Sequence, residues 1–204
     1  MPQKNAIKQF TPESYYHIYA RGSSKQNVFL DAADYKYFTA LFERYLSDKT
    51  AVSKSGNLYP NYRKSLDLLA YCLMRNHFHL LIYQTEIDTT SKFMRSIMTS
   101  YSRYFNLKYK RSGAVFESRY KGKRIYQQSY LEHISRYIHL NPRYWEKYTH
   151  SSLKFYTGIT SPSWLNADRI TTLFGGAEDY IKFVRDYEGQ KQMWDEIKHE
   201  LADQ

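Results

Sequence analysis

Two histidines separated by one residue lie near the middle of the chain, in the run Asn76-His77-Phe78-His79. Successive side chains of a β-strand point to opposite faces, so His77 and His79 would share one face and Phe78 would occupy the other. Two imidazoles about 7 Å apart on a rigid strand can hold one metal ion. Many His-x-His pairs are structural or merely exposed, so this pair alone predicts a metal site only weakly.

A tyrosine and an asparagine lie one helical turn apart further along the chain. The spacing of Leu131, Ile134 and Ile138 predicts an amphipathic helix, and Tyr137 and Asn141 share a neighbouring stripe of it. The Asn141 carbonyl oxygen suits a hard cation, and the Tyr137 hydroxyl is a potential nucleophile. Taken alone, Tyr137 is more simply interpreted as a partly buried helix tyrosine.

Strands and helices alternate in the pattern that would position these residues. Alternating aromatic and β-branched residues predict strands, and apolar spacings of three, four and seven predict helices. The predicted order is a strand at 15–21, a helix over 35–45, strands at 66–74 and 77–83, a helix over 93–105, a basic strand at 119–127 and a helix begun by a capping box at Ser129 and Glu132.

Pro142 ends that last helix, and Tyr180, Phe183, Val184 and Tyr187 predict one more helix near the end of the chain. The element order is close to β-α-β-β-α-β, which predicts an α+β fold with a ferredoxin-like antiparallel sheet and helices packed on it. A mostly helical C-terminal tail would follow this sheet.

The charge of the chain is concentrated in its middle. The 204 residues carry a net charge of +10, and residues 101–150 hold 11 Lys and Arg against 3 Asp and Glu, together with nine of the 22 tyrosines. Basic residues interleaved with aromatic ones are typical of a nucleic-acid surface. Residues 151–204 are acidic by comparison, with 6 basic and 9 acidic side chains.

Several protein classes are disfavoured by composition. Cys72 is the only cysteine, which excludes a scaffold held by intrachain disulfides. No apolar run approaches the roughly 18 residues that a membrane span needs, and the first residues do not resemble a signal peptide. A cytoplasmic protein with no membrane partner is therefore expected.

The sequence resembles a known family at the residues singled out above. His77-Phe78-His79, together with SRYIHLNP at 135–142, resembles the single-tyrosine HUH (IS200-like) transposases, and more closely their branch of REP-associated tyrosine transposases. The segments at 15–22, 102–123 and 151–165 are similar to the same branch, so the resemblance covers about residues 15–165. The family's ferredoxin-like sheet agrees with the predicted fold.

The resemblance implies a role for each matching residue. His77 and His79 would be metal ligands, Asn141 would occupy a third ligand position, and Tyr137 would be the nucleophile. The metal would be Mg²⁺ or Mn²⁺. The substrate would be single-stranded DNA beside a hairpin, cleaved through a covalent 5′-phosphotyrosine link. Its backbone would contact a set of basic side chains, namely Arg103, Arg119, Lys121, Lys123 and Arg124.

The same resemblance suggests residues 1–150 as the catalytic domain and 151–204 as an extension packed on it, in a monomer or a homodimer. His133 or Lys121 could assist Tyr137. Two other functions stay open at this point. One is a catalytically silent, transposase-derived protein that binds structured DNA or RNA. The other is a metal-dependent ribonuclease or other hydrolase that uses water as its nucleophile. Binding to a membrane surface is the least favoured, because no helix pairs a strongly basic face with an apolar one.

Overall fold

The computed structural model of the protein describes residues 10–186. Its centre is a four-stranded sheet of order β2-β3-β1-β4, in which all neighbouring strands are antiparallel. The strands are β1 (Ser14–Arg21), β2 (Leu66–Met74), β3 (His77–Gln84) and β4 (Lys121–Ile125). Helix α1 (Ala32–Leu46) connects β1 to β2, and helix α2 (Thr89–Lys108) connects β3 to β4. The predicted α+β class and ferredoxin-like sheet are confirmed.

The two faces of the sheet are covered by different helices. Phe78 is fully buried on the face covered by α1 and α2, with its ring 5.1 Å from Phe38 of α1. Tyr101 of α2 completes this layer, 4.9 Å from Phe38. Burial of each such side chain contributes about 1.5–3 kcal/mol to folding. Helix α3 (Gln128–Leu140) covers part of the opposite face, which carries His77 and His79.

The ends of the elements follow from local chemistry, with one exception. The two residues Arg75 and Asn76 form the turn between β2 and β3, as predicted. The capping box predicted at Ser129 and Glu132 is not formed. Helix α3 begins one residue earlier, at Gln128, whose amide donates to the Glu132 carboxylate at 3.0 Å. This contact joins two side chains one turn apart, so it does not replace the hydrogen bond to a backbone N–H that a cap would have made.

Residues 151–186 pack along the outer edge of β2. The Ser152 hydroxyl oxygen accepts from the Tyr71 backbone at 2.9 Å, and the Tyr156 hydroxyl donates to the Leu69 carbonyl at 2.6 Å. Leu165 forms a parallel bridge to Leu68. These contacts cover a strand edge that would otherwise be open to pairing with another chain.

Two short helices, α4 (Asp168–Thr171) and α5 (Ala177–Arg185), complete this tail. Tyr180 and Val184 of α5 are buried, as the predicted helix requires, whereas Tyr187 lies outside the described residues. Within residues 10–186, no helix is long and apolar enough to cross a membrane.

Candidate active site

The histidine face of β3 meets helix α3 at one place. The rings of His77 and His79 have centroids 5.1 Å apart, and the Tyr137 ring of α3 is 5.4 Å from that of His79. His79 is 4% exposed and Tyr137 is 6% exposed, whereas His77 is only half-buried. Residues that are about 60 positions apart in the sequence therefore form one cluster, with His77 on its open side.

Asn141 joins the histidines to the tyrosine. Its Oδ1 lies 3.1 Å from His77 Nε2, and its side chain also hydrogen-bonds Tyr137. The other ring nitrogen of His77, Nδ1, lies 2.7 Å from Asn76 Oδ1. A neutral imidazole has only one N–H, so one of its two nitrogens presents a lone pair to a carbonyl oxygen. A ring nitrogen and an amide oxygen that face each other with lone pairs in this way suit a cation.

The electrostatics of the histidines agree with a metal site. Burial lowers the pKa of His77, although its hydrogen bond with Asn141 opposes this, and burial lowers the pKa of His79 well below the usual value. The charge of Arg21 lowers both. Both rings are therefore neutral at pH 7, as metal ligands must be. Within residues 10–186, no group of three or more His, Cys, Asp or Glu side chains could hold a metal. The Asn141 amide oxygen lies 3.1 Å from His77 Nε2, and nitrogen with oxygen donors fits a divalent cation such as Mn²⁺.

His17 of β1 is part of this cluster. Its Nε2 lies 2.9 Å from His79 Nδ1, and the residue is 1% exposed. Burial, assisted by the charge of Lys123, lowers the pKa of His17 to about 3. Sequence reasoning assigned no role to this residue, because its contact with His79 depends on the β1–β3 register. The only signal was a histidine in a predicted strand.

The Tyr137 hydroxyl does not lose its proton readily. Burial raises the pKa of Tyr137 to about 12, although the hydrogen bond from Asn141 and the charge of Arg21 oppose this rise. His133, one of the two predicted assistants, lies elsewhere. Its Nδ1 accepts from Arg136 at 2.8 Å, and its ring packs against Phe183 of α5.

The predicted DNA-binding residues lie on different surfaces. In the β1–β4 register, Lys121 is opposite Tyr19 and Lys123 is opposite His17, so both lysines share the histidine face. Arg124 alternates to the other face and stacks over the exposed ring of Tyr126 at 4.8 Å.

The remaining two arginines lie beside or on α2. Arg119 lines a cleft of about 650 Å³ between α2 and residues 114–120, which Arg95 also lines. Arg103 is exposed on α2 itself. Of the five predicted residues, Lys121 and Lys123 are the pair on the face of the site.

Comparison with known proteins places this cluster in context. Residues 61–141, which contain both site histidines, Tyr137 and Asn141, match the family described as IS200-like transposases. This confirms the family resemblance over that segment. No curated protein matches the chain in sequence.

Two solved structures are similar to the chain. The first is a REP-associated tyrosine transposase bound to a REP hairpin, with a TM-score of 0.56 and 11% identity, over 80% of this chain and 92% of that one. The second is a candidate transposase from Deinococcus radiodurans R1, with a TM-score of 0.39 and 14% identity, over 68% of this chain and 95% of that one. At this identity the first structure supports the fold.

Proposed function

We propose that the protein is a transposase that cleaves single-stranded DNA beside a hairpin and is joined to the cut end through Tyr137. The similarity of residues 61–141 to the IS200-like transposases supports this proposal. The observation that carries the proposal is the meeting of His77, His79, Tyr137 and Asn141 in one cluster. Binding without cleavage would not require a tyrosine next to two neutral histidines and an amide.

His77, His79 and Asn141 would hold a divalent cation, Mg²⁺ or Mn²⁺. When bound, such an ion withdraws electron density from a phosphate and stabilises the charge that develops during substitution. The chain contributes the neutral state of both histidines, which burial maintains. It also contributes the position of Asn141 beside both His77 and Tyr137.

Tyr137 would act as the nucleophile. Its Oη attacks the phosphorus atom, so an O–P bond to tyrosine forms while the bond from phosphorus to the 3′ oxygen breaks. The tyrosine loses its proton and the departing 3′ oxygen gains one, directly or through solvent. The products are a 5′-phosphotyrosine link and a free 3′-hydroxyl. Attack by a 3′-hydroxyl on that link reverses the step and rejoins DNA, with no external energy source.

The surface around the cluster suits a single strand. Lys121 and Lys123 supply positive charge on the same face. Tyr144 lies just beyond the C-terminal end of α3 and is 72% exposed. Unpaired bases stack on exposed aromatic rings, with about 1–3 kcal/mol for each base. The REP hairpin held by the similar solved structure supports a hairpin as the double-stranded part of the substrate.

A denaturing gel tests the proposal. Labelled hairpin DNA with a single-stranded flank is mixed with wild-type protein or with Tyr137→Phe, in Mg²⁺, in Mn²⁺ or in chelator. We expect a metal-dependent band of labelled DNA attached to wild-type protein and no such band with Tyr137→Phe. Tight, salt-sensitive binding without this band, across a panel of hairpins, would instead favour a silent binding protein. Metal-dependent cutting without attachment would favour a hydrolase that uses water.

A further inference from the structure

Arg21, the last residue of β1, lies at the open side of the site. In the β1–β3 register it is directly opposite His77. Directly paired residues of antiparallel strands project from the same face of the sheet. The Arg21 side chain therefore projects from the histidine face, next to the half-buried His77 and not next to the buried His79.

The backbone at Arg21 is held firmly. Its carbonyl accepts from the Glu117 backbone at 2.9 Å, and the next residue, Gly22, donates to the Asn76 carbonyl at 2.7 Å. A Cβ at Gly22 would lie 2.1 Å from the Gln26 carbonyl oxygen, so only glycine fits this close approach. These contacts fix the point from which the arginine side chain extends.

The side chain itself is exposed. Within residues 10–186, the Arg21 guanidinium makes no hydrogen bond, ion pair or ring contact. Its charge nevertheless reaches the site, since it lowers the pKa of His77, His79 and Tyr137. An exposed guanidinium on a fixed backbone, opposite His77 and within electrostatic reach of Tyr137, is arranged to receive an anion.

We propose that Arg21 is a further catalytic residue, which binds the phosphate attacked by Tyr137 through its guanidinium. This inference rests on the proposed function. A planar guanidinium can donate two parallel hydrogen bonds to one phosphate, which a lysine ammonium cannot do. The arginine would hold the phosphate at the open side of the cluster and offset the charge that grows on its oxygens.

The matched control is Arg75, in the turn between β2 and β3. Arg75 is also exposed and lies at the same end of the sheet, but its charge acts on Tyr35 and Tyr148, away from the histidines. Arg75→Gln and Arg21→Gln therefore remove the same charge from the same region. Arg21→Lys keeps the positive charge and removes the guanidinium N–H groups that can donate two parallel hydrogen bonds.

Two readouts separate this inference from the proposed function. The first is the affinity for a short single-stranded oligonucleotide in chelator, measured by fluorescence anisotropy across a range of salt concentrations. We expect Arg21→Gln to reduce the slope of log affinity against log salt by about 0.7, the value for one lost phosphate contact on a single strand. Arg75→Gln should leave the slope unchanged. An unchanged slope for Arg21→Gln overturns the inference, whatever the chain does to DNA.

The second readout is the single-turnover rate of attachment to hairpin DNA. We expect Arg21→Gln to slow attachment about 10²–10³-fold, as loss of one charge-stabilising donor does, and Arg21→Lys to restore only part of this loss. A wild-type rate for Arg21→Gln also overturns the inference. If wild-type protein never attaches to DNA but the salt slope falls as expected, the phosphate contact stands and the proposed function fails.

Discussion

At the scale of single residues, the least expected contact is the one between two histidines from neighbouring strands. His79 can offer Nε2 to a metal only if its Nδ1 carries the proton and donates it to His17 Nε2, across the observed 2.9 Å. His17 would thus fix both the tautomer and the ring orientation of His79. In the proposed function it would act through His79, as a positioning residue for the metal.

We therefore expect His17→Ala to weaken Mn²⁺ binding about 10–100-fold, as loss of an outer partner of a metal ligand typically does. Electron paramagnetic resonance of free Mn²⁺ measures this without DNA or turnover. The control is His150→Ala, because His150 stacks on Tyr35 with 3.6 Å between ring centroids and lies away from the cluster. Equal Mn²⁺ affinity for wild type and His17→Ala would contradict the account.

At the scale of the elements, alternation along β4 decides which basic residues can reach the site. Lys123 shares the histidine face, whereas its neighbour Arg124 projects from the other. Single-stranded DNA that enters the site should contact Lys123 and should not contact Arg124. The same alternation makes each residue a control for the other.

Lys123→Gln should weaken binding of a single-stranded oligonucleotide and lower its salt slope by about 0.7, whereas Arg124→Gln should change neither. Salt-dependent anisotropy measures both variants under the same conditions. A larger effect from Arg124→Gln would mean that the strand runs over the α2 side of the sheet, where Arg119 and Arg103 lie.

Sequence patterns predicted the elements better than the contacts between them. The alternation around Phe78 and the apolar stripe of α3 predicted the two elements β3 and α3. The grouping of His77 and His79 with Tyr137 and Asn141 was implied by the family resemblance. The roles proposed for His17 and Arg21 could not be predicted, because both depend on the register of β1 against β3, a long-range property. The start of α3 was wrong by one residue, because the helix begins at Gln128 without the capping box predicted at Ser129 and Glu132.

At the scale of the whole molecule, the tail is part of the structure that holds α3. His139 of α3 is fully buried, with Nδ1 2.7 Å from the Tyr180 hydroxyl of α5 and Nε2 2.8 Å from the Ser152 hydroxyl. The Ser152 hydroxyl also accepts a hydrogen bond from the Tyr71 backbone of β2. His139 therefore connects α3 to the edge of the sheet and to the tail. Such polar contacts between distant segments leave no periodic signal in the sequence.

Removing the Tyr180 hydroxyl leaves a buried nitrogen of His139 without that partner. We expect Tyr180→Phe to lower the free energy of unfolding by about 1–3 kcal/mol, the cost of an unsatisfied buried polar group. Urea denaturation followed by circular dichroism measures this change. Tyr144→Phe is the matched control, since Tyr144 is 72% exposed and its loss of a hydroxyl should have almost no effect. Equal stability of the two variants would show that the tail does not support α3 in this way.

Attack by Tyr137 is tested by identifying the residue that becomes joined to DNA. Trypsin cuts after Arg136 and Arg143, so it releases residues 137–143 as a peptide in which Tyr137 is the single tyrosine. Protein is incubated with hairpin DNA and Mn²⁺, digested with nuclease and trypsin, and examined by mass spectrometry. We expect this peptide with a nucleotide attached through its 5′ phosphate. A nucleotide on any other tyrosine peptide, or cleaved DNA with no modified peptide, would contradict it.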